Sequence, residues 1–289
     1  MKQIAWIGTG VMGSQQAGHL AKAGYQVKAY THKYEKLLEL QKEFGLIPCK
    51  STAEAVEGAD VIFVMVGYPH DVEEVFLQEG GILQHAKPGA LAIDMTTSSP
   101  SLAVRLYEEG KKKGIRVMDA PVSGGDSGAR NGTLSIMVGG DEADFKEALP
   151  LFECMGKNIV HMGGPGYGQH TKAANQIAVA GATAAYTEAL VYAEKVGLDP
   201  NKLLEAIGAG AAGSWQLSNM APRVLKGDLA PGFFVKHFIK DMKIIKEESE
   251  KKGVELDMLN AVLSMYEKMS EMGLDNEGTQ ALIRYYQDK

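Results

Sequence analysis

The sequence has few of the residues that mark disulfide-bonded, metal-binding or nucleic-acid-binding proteins. Its 289 residues include two cysteines, Cys49 and Cys154, which lie far apart and outside any C-x-x-C pair. Neither a disulfide framework nor a thiolate metal site is therefore expected, and we predict no metal. Lysine and arginine (30) are outnumbered by aspartate and glutamate (36), which gives a formal net charge of −6. Without a dense basic run, the chain is not expected to bind nucleic acid.

Long uninterrupted apolar segments are also missing. The most apolar stretch, residues 177–193, contains Thr183, Thr187 and Glu188. It never reaches the ~18 consecutive apolar residues that indicate a membrane helix. The amino terminus has no basic region followed by an apolar stretch and a small-residue cleavage site. The sequence therefore predicts a cytoplasmic globular protein with no membrane partner.

The first half of the chain alternates short apolar runs with longer helical patterns. Apolar runs at residues 3–7, 60–66 and 90–94 are separated by segments such as 12–23 and 100–113, which have helical spacing. This alternation is typical of a mostly parallel sheet covered by helices on both faces. We therefore predict an α/β fold with an amino-terminal, doubly wound, mostly parallel sheet.

Three glycines follow the first apolar run as G-x-G-x-x-G, in the segment IAWIGTGVMGSQ, residues 4–15. A strand precedes them, a helix follows, and a second strand arrives about 20 residues later, as a dinucleotide-binding turn requires. Gly8 allows the tight turn, Gly10 lets a pyrophosphate approach the backbone, and Gly13 allows close helix–strand packing. The pattern predicts a Rossmann-type domain; the alternative is a glycine-rich turn without a nucleotide. Thr9, Val11 and Met12 lie between these glycines and are predicted to contact the cofactor with them.

The sequence changes character after the glycine-rich segment GGPGYG, residues 163–168. A glycine-rich joint followed by helices indicates a domain boundary. We predict a dinucleotide-binding Rossmann domain over residues 1–162 and an all-helical domain for substrate binding and oligomerisation over residues 163–289. The helical patterns lie at about 167–196, 200–209, 214–226, 237–252, 255–273 and 276–287.

The residues after the second strand bear on which dinucleotide is bound. An acidic residue there would bond the ribose hydroxyl of NAD, whereas a cation accommodates the extra phosphate of NADP. This chain has Thr31, His32 and Lys33, and its first acidic residue is Glu35. The pattern favours NADP, with NAD as the alternative. In a third interpretation this is a solvated loop in which Lys33 contacts nothing.

Several further segments resemble the β-hydroxyacid dehydrogenase family, which includes 3-hydroxyisobutyrate dehydrogenase and tartronate semialdehyde reductase. They lie in order along the whole chain: IGTGVMG (7–13), DMTTSSP (94–100), DAPVSGG (119–125) with GTLSIMVGG (132–140), GYGQHTKAANQ (166–176) and IKD (239–241). The resemblance implies that Lys172 is catalytic and that Lys240 lies near the cofactor. It also implies cofactor contacts for Met65, Val66 and Thr97.

The chain departs from the family pattern at two cofactor-facing positions. NADP-type members usually carry Asn-Arg-Ser/Thr where this chain has Thr31-His32-Lys33. The segment VGYP, residues 66–69, stands where a Leu-Pro pair is usual. Both departures bear on cofactor preference and leave the chemistry of the reaction unchanged.

Chemical reasoning from the residues singles out the same helix. Lys172 is the only formally charged side chain between Lys157 and Glu188. A buried ammonium is costly unless it meets an anion or a strong acceptor, such as a substrate oxygen that becomes negative during reduction. Asn175 lies three residues later and shares its helix face. The alternative is a lysine whose ammonium reaches water.

The segment VSGGDSG offers the groups that hold a small carboxylate. Ser123 supplies a hydroxyl, and Gly124 and Gly125 supply closely spaced N–H groups that can form a concave anion site. The alternative is a turn that only tolerates positive φ. Thr96 and Thr97 can reach a cofactor beyond a strand end, or they cap the helix that begins near Pro100.

Three residues of the helical region have two interpretations each. Lys240, followed by Asp241, is either the cofactor-proximal lysine of the resemblance or half of a surface ion pair. Trp215 and Phe233 either line the pocket or belong to the core.

The sequence as a whole predicts an NAD(P)-dependent oxidoreductase that interconverts a short β-hydroxyacid and its semialdehyde or keto acid. Ser123, Gly124 and Gly125 would bind the carboxylate, Lys172 would act as general acid and base, and Asn175 would orient it. Candidate substrates are 3-hydroxyisobutyrate, tartronate semialdehyde, succinic semialdehyde and glyoxylate. The alternatives are an imine reductase on the same frame and a non-catalytic dinucleotide-binding protein. The long, small-residue helix 167–196 predicts a homodimer or homotetramer.

Overall fold

The structure is a computed structural model that describes residues 2–287. The chain divides into two compact units, of which the first ends at Lys172 and the second begins at Ala173. Residue 163, where the sequence predicts the domain boundary, is the last residue of the final strand. The division between the units lies later, inside the long helix Tyr167–Lys195.

The first unit is built on a mostly parallel sheet, as the alternation of the sequence predicts. Its described strands are β1 Gln3–Ile7, β2 Gln26–Tyr30, β3 Ile47–Pro48, β4 Val61–Val64, β5 Leu91–Asp94, β6 Arg116–Asp119, β7 Val122–Ser123, β8 Leu134–Gly139 and β9 Gly156–Gly163. Within the described residues their order is β3-β2-β1-β4-β5-β6-β8-β7, and β9 pairs with β8. From β1 the chain adds β2 and β3 on one side and then crosses to add β4, β5 and β6 on the other side, so the strand order switches between β1 and β4. In open α/β sheets such a position is where ligands bind.

Two pairings depart from the parallel pattern. β8 runs antiparallel to both β6 and β7, and it is parallel to β9. The segment VSGGDSG, for which a turn was the alternative interpretation, forms the short β7 and the start of a helix at Gly125–Asn131. A seven-residue helix that contains two glycines gives no helical periodicity, so sequence reasoning did not find it.

Helices cover both faces of the sheet, which confirms the doubly wound arrangement. Along β1, Ile4 and Trp6 belong to one hydrophobic cluster, and Ala5 and Ile7 belong to another. Alternate residues of a strand point to opposite faces, so the two clusters lie on opposite sides of the sheet. The helices of this unit are α1 Val11–Lys22, α2 Tyr34–Phe44, α3 Thr52–Val56, α4 Pro69–Leu77, α5 Ile82–His85, α6 Pro100–Lys112, α7 Gly125–Asn131 and α8 Glu142–Phe152.

The second unit is helical, and its core centres on Phe238 and Tyr266, whose ring centroids lie 5.1 Å apart. The pattern at 214–226 forms two short helices, because Pro222 cannot donate a helical hydrogen bond and starts a new helix. No described helix is long and apolar enough to span a bilayer. The helices are α9 Tyr167–Lys195, shared with the first unit, α10 Pro200–Gly208, α11 Trp215–Asn219, α12 Ala221–Leu225, α13 Val235–Lys251, α14 Asp257–Glu271, a 3₁₀ turn Thr279–Leu282 and α15 Ile283–Gln287.

Candidate active site

The glycine-rich turn lies between β1 and α1, at the carboxyl end of the parallel strands. Gly8 has a φ of +94°, and a Cβ there would collide with the carbonyl of Met65 after β4. A Cβ on Gly13 would collide with the carbonyl oxygen of Gly8 itself. The Gly8 N–H donates to the carbonyl of Tyr30 at 2.9 Å. Glycine at positions 8 and 13 therefore lets β1, α1 and the loop after β4 approach closely.

Gly10 differs from the other two glycines because the space beside it is open. Among the described residues, no atom lies within 4 Å of the position a Cβ would take. Gly10 directly precedes α1 as its N-cap residue, and among residues 2–287 no side-chain cap bond is found for this helix. The amide groups of the first turn and the positive end of the helix dipole thus lie beside an open space, which is the arrangement that binds phosphate. These residues fit a dinucleotide. Of the remaining turn residues, Thr9 is buried, Met12 is half-buried and Val11 is exposed.

Two exposed side chains that can carry positive charge follow β2. Tyr30 at the end of β2 is the register partner of Ile7 at the end of β1, so the next residues lie beside the glycine turn. His32 and Lys33 are exposed, whereas Thr31 is half-buried. The His32 ring packs edge-on against the Tyr30 ring at 5.9 Å between centroids. The first unit therefore has a cationic edge one strand away from the proposed pyrophosphate position.

The loops after β4 and β5 are tied together by a buried threonine. The Thr96 N–H donates to Oδ1 of Asp94 at 2.9 Å, and the Thr96 hydroxyl accepts from the N–H of Val66 at 3.0 Å. The preceding residue, Met65, donates its N–H to Ile7 at the end of β1 at 2.8 Å. These bonds fix Met65 and Val66 beside the glycine turn, as a shared cofactor surface requires.

Neither predicted threonine caps the helix that follows. Ser99 is the N-cap residue of α6, and its hydroxyl accepts from the N–H of Leu102 at 3.1 Å. The capping alternative for Thr96 and Thr97 is therefore wrong. Thr97 is half-buried in the loop after β5, at the carboxyl end of the strands, where ligands of open α/β sheets bind.

Sequence reasoning missed Asp119, the last residue of β6. This carboxylate is 2% exposed and accepts from the N–H of Gly166 at 2.7 Å and from that of Gln169 at 2.8 Å. Burial raises the pKa of Asp119, while the two backbone donors act in the opposite direction. Asp119 thus holds the first turn of α9. The available signal was an acidic residue directly at the end of a buried strand.

Gln169 fixes the same turn to the loop after β5. Its side-chain Nε2 donates to the carbonyl of Thr96 at 2.7 Å, and its Oε1 accepts from the N–H of Ser98 at 2.9 Å. Lys172 lies three residues further along α9 and is 6% exposed. Most of the surface of Lys172 is therefore buried, and the alternative in which its ammonium reaches water stays a prediction.

The predicted carboxylate-binding segment lies where β7 ends and α7 begins. Ser123 is half-buried and pairs in register with Ser135 of β8. Gly124 and Gly125 have φ values of +133° and +62°, a backbone that L side chains rarely adopt. Glycine at both positions therefore avoids the strain that a side chain would introduce there.

In the second unit, a chain of polar side chains joins α9 to α13. Asn175 donates to Oε1 of Gln176 at 2.8 Å, and Gln176 donates to Oδ2 of Asp241 at 2.7 Å. The Lys240 ammonium lies 2.8 Å from Oδ1 of Asp241, and the two side chains are 12% and 2% exposed. The interpretation of Lys240 and Asp241 as a surface pair is therefore wrong. Adjacent charges on a helix look solvent-exposed from sequence alone, which hid this burial.

The two aromatic candidates of the helical region differ in exposure. Trp215 is 58% exposed, so it does not belong to the core of its unit. Phe233 packs against that core, with its ring centroid 5.6 Å from that of Phe238. The described residues hold no cluster of three or more histidine, cysteine, aspartate or glutamate side chains that could bind a metal.

The doubly wound sheet and its glycine turn define a dinucleotide-binding protein, and comparison with known families agrees. A family described as the NAD binding domain of 6-phosphogluconate dehydrogenase matches residues 3–164. A second, described as "NAD-binding of NADP-dependent 3-hydroxyisobutyrate dehydrogenase", matches residues 166–286. The chain therefore belongs to the 3-hydroxyisobutyrate dehydrogenase family of NAD(P)-dependent oxidoreductases, and the resemblance found in the sequence is confirmed.

Individual relatives cover nearly the whole chain. It is 49% identical to the uncharacterized oxidoreductase YkwC of Bacillus subtilis over 99% of each chain. It is 40% identical to the 2-hydroxy-3-oxopropionate reductase of Escherichia coli, covering 86% of this chain and 84% of the relative. The solved structure of Mycobacterium tuberculosis 3-hydroxyisobutyrate dehydrogenase with L-serine matches with a TM-score of 0.91, at 29% identity over 99% of each chain. The protein is thus an oxidoreductase of this family in both fold and sequence.

Proposed function

We propose that the protein interconverts a short β-hydroxyacid and its semialdehyde or keto acid, with Lys172 as general acid and base. The observation that carries this proposal is the burial of Lys172, at 6% exposure, in a helix whose first turn is bonded to the ends of β5 and β6. A buried ammonium is costly unless it serves an anion or a strong acceptor. A substrate oxygen that gains negative charge during reduction is such an acceptor.

Each step assigns one task to residues of this chain. When bound, the nicotinamide cofactor supplies or accepts the hydride. The Ser123 hydroxyl and the N–H groups of Gly124 and Gly125 hold the substrate carboxylate. The Lys172 ammonium donates a proton to the carbonyl oxygen in reduction, and the neutral amine removes the hydroxyl proton in oxidation. Asn175, one helical turn further on, orients Lys172 or the substrate oxygen.

The cofactor would lie across the carboxyl end of the sheet, with its pyrophosphate on the turn from Gly8 to Gly13. The open space beside Gly10 and the uncapped start of α1 support this position. His32 and Lys33 support NADP over NAD, because their exposed side chains can meet an extra phosphate. We extend the cofactor surface to Met65, Val66, Thr97 and Lys240, the last on the family resemblance alone.

A substrate panel with both cofactors tests the reaction directly. It contains 3-hydroxyisobutyrate, tartronate semialdehyde, succinic semialdehyde and glyoxylate, followed by absorbance of the reduced nicotinamide. A positioned acid–base group contributes about 10²–10⁴-fold, so Lys172→Ala should lower kcat by this factor while cofactor affinity stays unchanged. Lys172→Arg should not restore activity, because a guanidinium stays protonated.

The same experiment separates the alternatives. A Lys172→Ala variant that keeps more than about a tenth of parental kcat would show that the lysine is structural. Turnover of a cyclic imine without turnover of any hydroxyacid would favour an imine reductase. Tight cofactor binding without turnover of any compound would favour a non-catalytic dinucleotide-binding protein.

We further propose a homodimer or homotetramer formed through the helical unit. Large apolar side chains are exposed near the end of α9 and directly after it, with Tyr192 at 66%, Val196 at 52% and Leu198 at 50% exposure. Exposed apolar patches mark association surfaces. Light scattering that finds only a 31.1 kDa particle at micromolar concentration would contradict this. A cytoplasmic location, and the absence of a nucleic-acid partner, stay predictions of the sequence.

A further inference from the structure

The backbone at the start of α9 donates to a side chain from a distant strand, Asp119 at the end of β6. The helices α3 and α6 are capped by the residues directly before them, Ser51 and Ser99. The start of α9 instead donates to Asp119, which lies 47 residues before Gly166 in the chain. An N-terminal cap alone would need only a local serine or aspartate. The long-range contact fixes where the helix begins relative to the end of β6.

Gln169 adds a second attachment that capping does not require. Both polar ends of its amide are bonded to backbone, and both partners, Thr96 and Ser98, lie in the loop after β5. The side chain is 1% exposed, so neither bond is exchanged for water without cost. Gln169 therefore joins the helix that carries Lys172 to the loop that is proposed to lie beside the cofactor.

We infer that Gln169 and Asp119 are positioning residues, which set the distance between Lys172 and the cofactor loop. This inference rests on the proposed role of Lys172. Gln169 and Lys172 are three residues apart, so they share a helix face and are separated by about 4.5 Å along the helix axis. One turn of helix is rigid, and a shift of Gln169 moves Lys172 with it. Errors of about 1 Å in such placements cost about 10²-fold in rate.

Substitution of Gln169 tests the inference against a purely structural role. Gln169→Leu removes both side-chain bonds at similar volume. Gln280→Leu is the matched control, because Gln280 is also 1% exposed and donates to the backbone carbonyls of Asp228 and Ala230, in the second unit. Both variants lose buried amide–backbone bonds, and both should lose stability to a similar degree.

The readouts are kcat per cofactor-binding site, substrate KM, and amide hydrogen exchange. Binding sites are counted by fluorescence titration with reduced cofactor, so that unfolded protein does not affect kcat. Gln169→Leu should lower kcat per site by about 10–100-fold with little change in KM, and exchange over residues 166–172 should accelerate. Gln280→Leu should leave kcat per site and this local exchange unchanged.

A conservative variant gives a rescue that does not depend on the folding of Gln169→Leu. A protonated glutamate at this position can donate to the Thr96 carbonyl and accept from the Ser98 N–H, whereas an ionised one can only accept. Burial and the nearby Asp119 carboxylate should raise the pKa of that glutamate. The activity of Gln169→Glu, relative to the parent, should therefore be near normal at low pH and fall as pH rises.

The outcomes for the two proposals are distinguishable. If Lys172→Ala loses activity but Gln169→Leu keeps parental kcat per site, or Gln169→Glu follows the parental pH profile, the positioning inference is overturned. Equal losses of kcat per site in Gln169→Leu and Gln280→Leu would also overturn it, since the effect would then be general. If Lys172→Ala retains activity, the proposed function fails, and the inference fails with it.

Discussion

The two ends of the parallel strands in the first unit use polar side chains in different ways. At the carboxyl end, Asp119 and Gln169 bond to backbone groups and are almost fully buried. At the amino end, side chains pair with opposite charges near the surface: Lys2 with Glu147 at 2.8 Å, Arg116 with Asp144 at 2.7 Å, and Lys87 with Asp60. One end is fixed by hydrogen bonds to particular loops, and the other by partly exposed ion pairs.

The different surroundings at the two ends shift the pKa values of their carboxyl groups in opposite directions. Burial raises the pKa of Asp119, whereas hydrogen bonds from Arg116, and then Lys2, lower that of Glu147 to about 2. Burying the Asp119 carboxylate with only backbone donors costs free energy of folding. This cost indicates that the carboxylate serves to hold the start of α9 in place. A paired surface carboxylate contributes modest stability. Substitutions at the carboxyl end should therefore change binding and catalysis, and those at the amino end should change stability alone.

The largest effect at the carboxyl end should come from filling the open space of the glycine turn. Gly10→Val should abolish cofactor binding while leaving a folded protein, because the side chain would occupy the proposed position of the pyrophosphate. Fluorescence or calorimetric titration with the cofactor measures this. Gly208→Val is the control, because Gly208, at the end of α10, also has no atom of the described residues within 4 Å of the position of a Cβ. A Gly10→Val protein that binds as tightly as the parent would mean that the dinucleotide lies elsewhere.

A smaller effect should come from the cationic edge after β2. Lys33→Ala should lower kcat/KM for NADP by about tenfold, the value of one charge-assisted hydrogen bond at an exposed site, and should leave kcat/KM for NAD unchanged. The loss of kcat/KM for NADP in this variant should become smaller as added salt screens the charge of Lys33 in the parent. Lys42→Ala is the control. Lys33 directly precedes α2, and Lys42 is an exposed lysine in the last turn of that helix. Equal use of both cofactors by parent and variant would contradict the preference for NADP.

The glycine turn at the carboxyl end was predictable because a local pattern defines it. The G-x-G-x-x-G turn requires glycine for reasons that act within a few residues and between adjacent strands, so Gly8 and Gly13 could be assigned roles from spacing alone. The apolar runs at 3–7, 60–66 and 90–94 likewise predicted β1, β4 and β5. The short β3 and β7 were missed, since two residues carry no periodicity.

Contacts between distant segments were not predictable from one sequence. Asp119 reads as an ordinary strand end, and only the fold brings it to the start of α9. Asp241, which pairs with Lys240, accepts from Gln176, a residue 65 positions away in the chain. No local pattern encodes such pairs, because the chain must close a long loop before they meet. The antiparallel placement of β8 was missed for the same reason.

The smallest effect should come from the amino end, where Glu147→Gln removes one acceptor from Arg116 and Lys2. The pKa of Glu147 is lower in the folded protein, about 2, than its usual value of 4.5. Its contribution to stability is therefore fully present above the unfolded value and is lost as pH falls toward the folded one. Because the side chain is 37% exposed, screening limits the contribution to about 1 kcal/mol or less.

Urea unfolding of Glu147→Gln between neutral pH and about pH 3 measures this contribution. The difference from the parent should be largest at neutral pH and should shrink steadily as pH falls from about 4.5 toward 3, while kcat at neutral pH stays parental. Glu142→Gln is the control on the same helix, because Glu142 pairs with Lys146 but is 67% exposed, so its loss should change little. A Glu147→Gln protein with impaired kcat would show that the amino end also serves the reaction, and the contrast between the two ends of the strands would no longer hold.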